Sequence, residues 1–277
     1  MHREGAESLA IMAAKKKKKK TTGAAGAAGE ETALVPVGEQ FTALQTLDNL
    51  KEVVDANFGE GGTASWSSLE RIKVGTGGSL SYIIEDEIDG VTPVEEFESL
   101  ICWWEDHRTW WEVPFDQGGT GGPPSCSADG SCLTGHGNNG YDEGKIDCKT
   151  CPNNRFGSNP SPKVEGHFCT KTKRMYLLRT ERPGVLFPSV LIVPPGSLKQ
   201  VGDYMMAITS RGLPFYAAIH TFTLTPDQNP AGIKYAKVKI GYSRKLNEDE
   251  IVMVRKYADA VQPAFSMLVP DQKSIEA

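Results

Sequence analysis

The chain has 277 residues, of which 39% are hydrophobic and 23% are charged. This composition is typical of an ordinary water-soluble protein that is long enough to bury a substantial core. No apolar run approaches the roughly 18 residues that a bilayer-spanning helix needs, so we expect no membrane partner. The lysines near the N terminus follow a very short apolar patch, which is not the order of a signal peptide, and we expect a cytoplasmic location.

Charge is distributed unevenly along the chain. Residues 1–29 carry 7 basic and 2 acidic side chains, residues 30–162 carry 7 and 23, and residues 163–277 carry 16 and 10. The formal net charge of −5 therefore hides an acidic segment between two basic ones. This pattern is typical of a polyanion-binding surface beside a surface that repels polyanions or attracts basic partners, although two solvated faces would produce it too.

Residues 1–38 form a predicted disordered tail. They contain the run Lys15–Lys20 and a low-complexity Gly/Ala segment, which cannot bury enough apolar surface to offset the entropy of ordering. The tail either binds nucleic acid without sequence preference or acts as a solubilising arm. Residues 269–277 are a predicted flexible C terminus.

The first structured part, residues 39–113, is predicted to contain a helix and the first strands of a β-barrel. Apolar residues recur at spacings of three and four between Leu44 and Phe58, which predicts an amphipathic helix over 42–57. Alternating and β-branched segments at 69–75, 78–86 and 94–113 predict three strands, the last long enough to bend or to be two.

The second structured part, residues 169–268, is predicted to complete the barrel. Strands are expected within 167–181, 187–195, 214–227 and 233–246. A helix is expected to open on Ser197 as N-cap and to end at Gly212, and a second helix after Asn247 has acidic residues in its first turn. The fold class is mainly β with an α+β character and three helices.

Residues 114–168 are so rich in Gly, Pro, Asn and Ser that we expect no regular structure there without a clamp. Cys148 and Cys151 have the Cys-x-x-Cys spacing that presents two thiolates to one tetrahedral Zn²⁺ ion. Cys126 at the entrance and Cys169 at the exit of the segment are the preferred partners. Cys132, His136 and His167 remain alternatives, and Cys102 is expected to be a buried apolar residue.

The predicted zinc is structural, one ion per chain. Four thiolates leave no open coordination position, whereas a hydrolytic zinc keeps one. A cytoplasmic disulfide is disfavoured, and the pair does not open a helix after a strand as a thioredoxin-type motif does. The chain lacks the Walker, Gly-x-Ser-x-Gly, His-Glu-x-x-His and zinc deaminase signatures, so we do not expect an enzyme.

Several of these motifs together resemble a family of tailed-phage proteins. The motifs are "PPSCSADG", "DCKTCPNNRFGSNP", "GHFCTKTKRMYLL", "FPSVLIVPPGSLKQVGDYM" and "KYAKVKIGY", over roughly residues 65–265. The family's cysteines fall on Cys126, Cys148, Cys151 and Cys169, while Cys132 lies outside the pattern. A zinc ribbon inserted between strands of a small barrel is also, by analogy, the plan of an oligonucleotide-binding (OB) domain in the large subunit of eukaryotic replication protein A.

Aromatic and basic residues on the predicted strands indicate a single-strand binding groove, since flat rings stack on bases and cations follow the backbone. Within "WWEDHRTWW", one tryptophan of each pair is expected to be core, because neighbouring residues of a strand face opposite ways. The candidate nucleic-acid contacts are Arg108, Trp110, Trp111, Lys171, Lys173, Arg174, Tyr176, Lys237, Lys239 and Arg244.

The sequence therefore predicts an OB-like β-barrel with an inserted zinc ribbon that binds single-stranded DNA in phage replication or recombination. The alternative is a non-enzymatic zinc-stapled adaptor that docks on a polymerase, helicase or recombinase through its acidic N-terminal half. A catalytic role comes third.

Overall fold

The protein is described by a computed structural model that covers residues 40–45, 52–53, 56–57, 69–113, 124–128, 134–137, 145–160, 166–229 and 232–266. The tail at 1–38 and the C terminus at 269–277 lie outside these residues, so the predictions for them are not addressed by the structure.

The molecule is mainly β, with an eleven-stranded sheet that curls and few helices. The strands are β1 Arg71–Val74, β2 Tyr82–Asp86, β3 Gly90–Val94, β4 Phe97–Trp110, β5 Cys126–Ala128, β6 Thr134–Gly137, β7 Lys145–Asp147, β8 Thr170–Arg179, β9 Ser189–Val193, β10 Ala218–Gln228 and β11 Lys234–Lys245. The helices are α1 Thr42–Gln45, α2 Leu198–Thr209 and α3 Glu248–Ser266, with short 3-10 turns at Pro152–Asn154, Pro195–Ser197 and Phe215–Ala217.

The long strand β4 organises the sheet. Along its whole length β4 pairs with β8, while its other edge pairs first with β10 at Phe97–Leu100 and then with β5 at Arg108–Trp110. The sheet order β3-β2-β1-β9-β8-β4 therefore divides beyond β4, with β10 and β11 along one half and β5, β6 and β7 along the other. All pairings are antiparallel except that of β1 with β9.

Two apolar clusters cover the two faces of the sheet. The first includes Leu100, Trp103, Tyr176 and residues of α3, and the second includes Phe97, Met175, Phe222 and Val201 of α2. Adjacent residues of β4 and β8 fall in different clusters because successive side chains of a strand point to opposite faces. The main sheet thus holds a buried core on both sides.

Most predicted elements are present. The predicted strand 94–113 is one strand, β4, with an irregularity between Ile101 and Trp103. All described residues within 42–57 are helical, and the rest of that predicted helix lies outside the described residues. Asn247 caps α3 through a capping box, since Glu250 N–H donates to its Oδ1 at 2.9 Å and the Glu250 carboxylate accepts from Asn247 N–H at 2.7 Å.

Three predictions about the elements need correction. Strand β3 was not predicted, because four of its five residues are exposed and the segment lacks an alternation of apolar and polar residues. Residues 114–168 contain β5, β6 and β7, which extend the edge of β4 and so gain order from neighbouring strands. Ser197 precedes α2, but its hydroxyl accepts from Val238 N–H at 3.0 Å instead of capping the helix.

No helix in the described part of the chain is long and apolar enough to cross a membrane.

Candidate zinc and nucleic-acid site

The structure brings the four predicted cysteines together at one end of β4 and β8. Cys126 begins β5 and pairs in register with Trp110 of β4, and Cys169 lies just before β8. Cys148 and Cys151 follow β7 in a tight turn. We call β5, β6, β7, the turn residues 148–160 and residues 166–169 the cysteine extension.

Electrostatic interactions show that these thiols are close to one another. Burial and the neighbouring thiols of Cys148 and Cys151 raise the pKa of Cys126 to about 11. Burial and the other three thiols raise the pKa of Cys169 to about 11 as well, while the Arg108 guanidinium acts in the opposite direction. The neighbouring thiols therefore add to burial in disfavouring ionisation of Cys126 and Cys169, and a cation among them would oppose that effect.

The four thiols do not form a metal-binding arrangement within the described residues. Within the described residues, no three His, Cys, Asp or Glu side chains converge in the way that a bound metal ion requires. The structure forms no disulfide among its five described cysteines. Cys102 of β4 is buried in the first apolar cluster, as expected for a core residue. Burial raises the pKa of its thiol.

Backbone hydrogen bonds shape the Cys-x-x-Cys turn. Cys151 N–H donates to the Asp147 carbonyl at 3.0 Å, and the Asp147 carboxylate accepts from Lys149 N–H at 2.9 Å. Cys169 N–H donates to the Asn153 carbonyl at 2.9 Å, which ties the exit of the segment to the turn. The sequence alone did not indicate the hydrogen bond between Cys169 and Asn153.

Asn154 connects the cysteine turn to Arg108 of β4, and the sequence did not predict this role. Its side-chain amide donates to the Cys148 carbonyl at 2.6 Å and accepts from Arg108 Nη1 at 2.5 Å. Its backbone N–H donates to the Cys151 carbonyl at 3.1 Å, and its carbonyl accepts from His167 Nδ1 at 2.6 Å. The Pro-Asn-Asn sequence after the second cysteine is a turn signal that could have drawn attention to it.

Of the three alternative zinc ligands, the structure describes only the side chain of His167. Cys132 and the side chain of His136 lie outside the described residues. The Nδ1 atom of His167 carries the proton that it donates to Asn154, so Nε2 is the nitrogen with a lone pair to offer.

A face of β4 and β8 beside the extension carries half-buried cations and one exposed indole. Trp104, Asp106 and Arg108 of β4 share this face with Lys171 and Lys173 of β8, according to the strand register. The Lys173 ammonium lies 3.2 Å from the centroid of the Trp104 ring, and Trp104 is 37% exposed. Both lysines contact the Asp106 carboxylate, Lys171 at 2.5 Å and Lys173 at 2.8 Å. One positive charge of the pair is therefore not neutralised by Asp106.

Three predicted nucleic-acid contacts are buried, and in this respect the prediction is wrong. Trp110 is 5% exposed, Arg174 7% and Tyr176 1%. Tyr176 donates its hydroxyl to Glu105 at 2.8 Å, and Arg174 lies 4.0 Å from the same carboxylate. A buried side chain cannot contact a base, so these three residues pack inside the protein instead. The expectation that each tryptophan pair holds one core member is met, since Trp103 and Trp110 are buried while Trp104 is exposed and Trp111 is half-buried.

The remaining predicted contacts do not form one groove. Lys237 and Lys239 lie on the opposite side of the sheet from Lys171 and Lys173, because their β11 neighbours Ala236, Val238 and Ile240 pack in the same cluster as Met175. Lys237 is ion-paired with Asp227, which lowers the pKa of that carboxyl to about 2. Arg244, at the end of β11, lies 3.6 Å from Glu250 of α3.

Comparison with known proteins supplies no relative: no family model, curated protein or solved structure matches the chain.

Proposed function

We propose that the protein is a non-enzymatic binding protein that uses the Trp104 face to bind single-stranded DNA and a structural zinc ion to hold the cysteine extension beside it. The observation that carries the proposal is the continuity between these two features. Arg108 lies on the same face as Lys171 and Lys173, and it also donates to Asn154 in the cysteine turn. The resemblance to phage proteins supports a role in phage replication or recombination as part of this proposal.

The donor set supports zinc. Four thiols with no carboxylate among them are the soft ligands that tetrahedral Zn²⁺ takes in structural sites, at about 2.3 Å from each sulfur. Cys126, Cys148, Cys151 and Cys169 would hold the ion after their side chains draw together. Zinc would supply the cohesion that a Gly-rich segment with few buried side chains lacks.

The curled antiparallel sheet is compatible with the OB-like assignment, which we keep as part of the proposal. OB domains bind oligonucleotides across a sheet face with aromatic and basic side chains. Within the described residues the edge strands β3 and β11 each pair with a single strand, so the sheet does not close there. The proposal therefore rests on the Trp104 face and not on a closed barrel.

Fluorescence anisotropy with labelled oligo-dT at low salt tests DNA binding. Lys171→Ala and Lys173→Ala should each weaken binding and reduce the slope of log K against log salt by about 0.7, the value for one lost phosphate contact to a single strand. Lys239→Ala is the matched control, because this exposed lysine lies on the other side of the sheet. Absence of binding by the wild-type protein, or equal losses in the control, would exclude this face.

Elemental analysis of the purified protein tests the zinc site independently. About one zinc per chain is expected, and it should be lost in the Cys148→Ser, Cys151→Ser double variant. A zinc-free wild-type protein that keeps its fold would contradict the metal assignment without bearing on DNA binding.

The adaptor function remains a second candidate because of one surface. The β2–β3 hairpin exposes Ile88 by 92% and Val91 by 67%, beside the exposed carboxylates of Glu87, Glu95 and Glu96. This combination favours a basic extended peptide, while Pro93 limits how many backbone hydrogen bonds such a peptide can make at the edge. Ile88→Asp should abolish capture of a phage replication protein if the adaptor function is correct, and should leave oligo-dT binding unchanged.

A further inference from the structure

Phe156 is an exposed aromatic residue at the tip of the cysteine extension. Its side chain is 71% exposed, and its ring meets the His167 ring edge-on with 6.0 Å between centroids. A single exposed apolar side chain is common on protein surfaces and needs no explanation by itself. Two features distinguish Phe156 from other exposed side chains: the hydrogen bonds that hold its turn, and the charged residues near it.

The backbone around Phe156 is held in a fixed turn. Gly157 has a φ of +83°, which favours glycine, and donates its N–H to the Gly166 carbonyl at 2.9 Å. The Ser158 hydroxyl donates to the Asn153 carbonyl at 2.9 Å. Because hydrogen bonds fix the chain on both sides of the ring, the fold itself presents the aromatic face to solvent.

The charges near the turn are arranged differently from those on the Trp104 face. Lys149 and Arg155 are both exposed, and within the described residues neither makes an ion pair. The nearest acidic residue in the turn, Asp147, uses one carboxylate oxygen to accept the Lys149 backbone N–H. Lys171 and Lys173, in contrast, share Asp106. Within the described residues, the turn therefore carries two cations that no acidic side chain shares.

We propose that Phe156 stacks on an unpaired base of single-stranded DNA, with Lys149 and Arg155 contacting the flanking phosphates. This inference rests on the proposed function and assigns it a second contact point, on the zinc-held turn. A fixed aromatic face between cations is the arrangement with which single-strand binders hold bases of any sequence. Duplex DNA offers no such base face, since its bases are already stacked, so selectivity for single strands follows.

The experiment measures oligo-dT binding to the zinc-loaded full chain by fluorescence anisotropy. Phe156→Ala should weaken binding roughly 5- to 150-fold with an unchanged salt slope, because stacking releases no counterions. Phe156→Trp should retain or strengthen binding. Lys149→Ala should weaken binding and reduce the salt slope by about 0.7.

Ile88→Ala is the matched control, since Ile88 is an even more exposed apolar residue on a distant hairpin turn. Equal affinities of Phe156→Ala and Ile88→Ala, with normal wild-type binding, would overturn the stacking inference and leave the proposed function standing. Equal losses on duplex and single-stranded DNA would also overturn it. A wild-type protein that binds no oligonucleotide would remove both.

Discussion

The main sheet and the cysteine extension are stabilised by different means. The main sheet buries large side chains on both faces, among them Leu178, Phe222 and Tyr257, each with 0% exposure. In the described part of the extension the buried side chains are few and small, namely Ala128, Cys148 and Cys169. Its order comes from strand pairing to β4 and from hydrogen bonds around Asn154. The comparison shows that burial orders the main sheet, whereas strand pairing and hydrogen bonds order the described part of the extension.

Removal of the metal should have the largest effect and should separate the two regions. Structural zinc contributes on the order of 10 kcal/mol of binding free energy to small sites, and under the proposed function that energy would act on the extension. After chelation, hydrogen exchange within residues 126–169 should accelerate strongly, while peptides from β8, β10 and β11 should keep their protection. Cooperative loss of protection in both regions would show that the main sheet also depends on the metal.

A cavity in the main sheet should have the next largest effect. Leu178→Ala should lower the free energy of unfolding by about 2–5 kcal/mol, since it removes a fully buried side chain. Leu80→Ala, at a position 43% exposed, should change it by less than about 0.5 kcal/mol. Chemical denaturation gives both values. The zinc content of folded Leu178→Ala protein should remain about one per chain.

The hydrogen bonds of Asn154 should have a smaller, local effect. Asn154→Ala removes the acceptor for Arg108 and the donor to the Cys148 carbonyl, at a cost of about 1–3 kcal/mol. It should be seen as faster transfer of zinc to a colorimetric chelator. Asn153→Ala is the control, because Asn153 bonds through its backbone carbonyl, which the substitution retains. Equal rates for the two variants would contradict the role of the Asn154 side chain.

A further effect should be a pH dependence that belongs to the main sheet. Burial, together with Arg174, lowers the pKa of His107 from 6.5 to about 3. The unfolded chain therefore binds a proton that the folded protein does not, and stability falls as pH decreases from about 6.5 towards 3, by at most about 1.4 kcal/mol per pH unit.

His107→Gln should make this acid destabilisation shallower, measured by denaturation at pH 7 and pH 5. The buried His220, whose pKa burial also lowers, should account for part of the remaining slope. An unchanged slope in the variant would mean that His107 is protonated in the folded protein.

The sequence by itself determined the features that depend on neighbouring residues. The alternation in Lys234–Lys245 assigns Ala236, Val238 and Ile240 to the core, and the Asn247 capping box begins α3. The spacing of Cys148 and Cys151 places both thiols in one turn because three residues of chain allow little else. Cys126 and Cys169 bracket the segment, and burial together with the neighbouring thiols raises the pKa of both. That these two residues complete the zinc shell stays a prediction.

Only the tertiary structure decided which charges and rings reach solvent. Trp110, Arg174 and Tyr176 look suitable for nucleic acid in the sequence, but all three are buried, Trp110 against Phe168 and Tyr176 against Phe265 of α3. The strand order separates Lys171 and Lys173 from Lys237 and Lys239, although all four belong to alternating basic strands. Local patterns fix the period of a strand, whereas the face that becomes interior depends on partners far away in the chain, and for that reason the sequence located the thiols but not the binding surface.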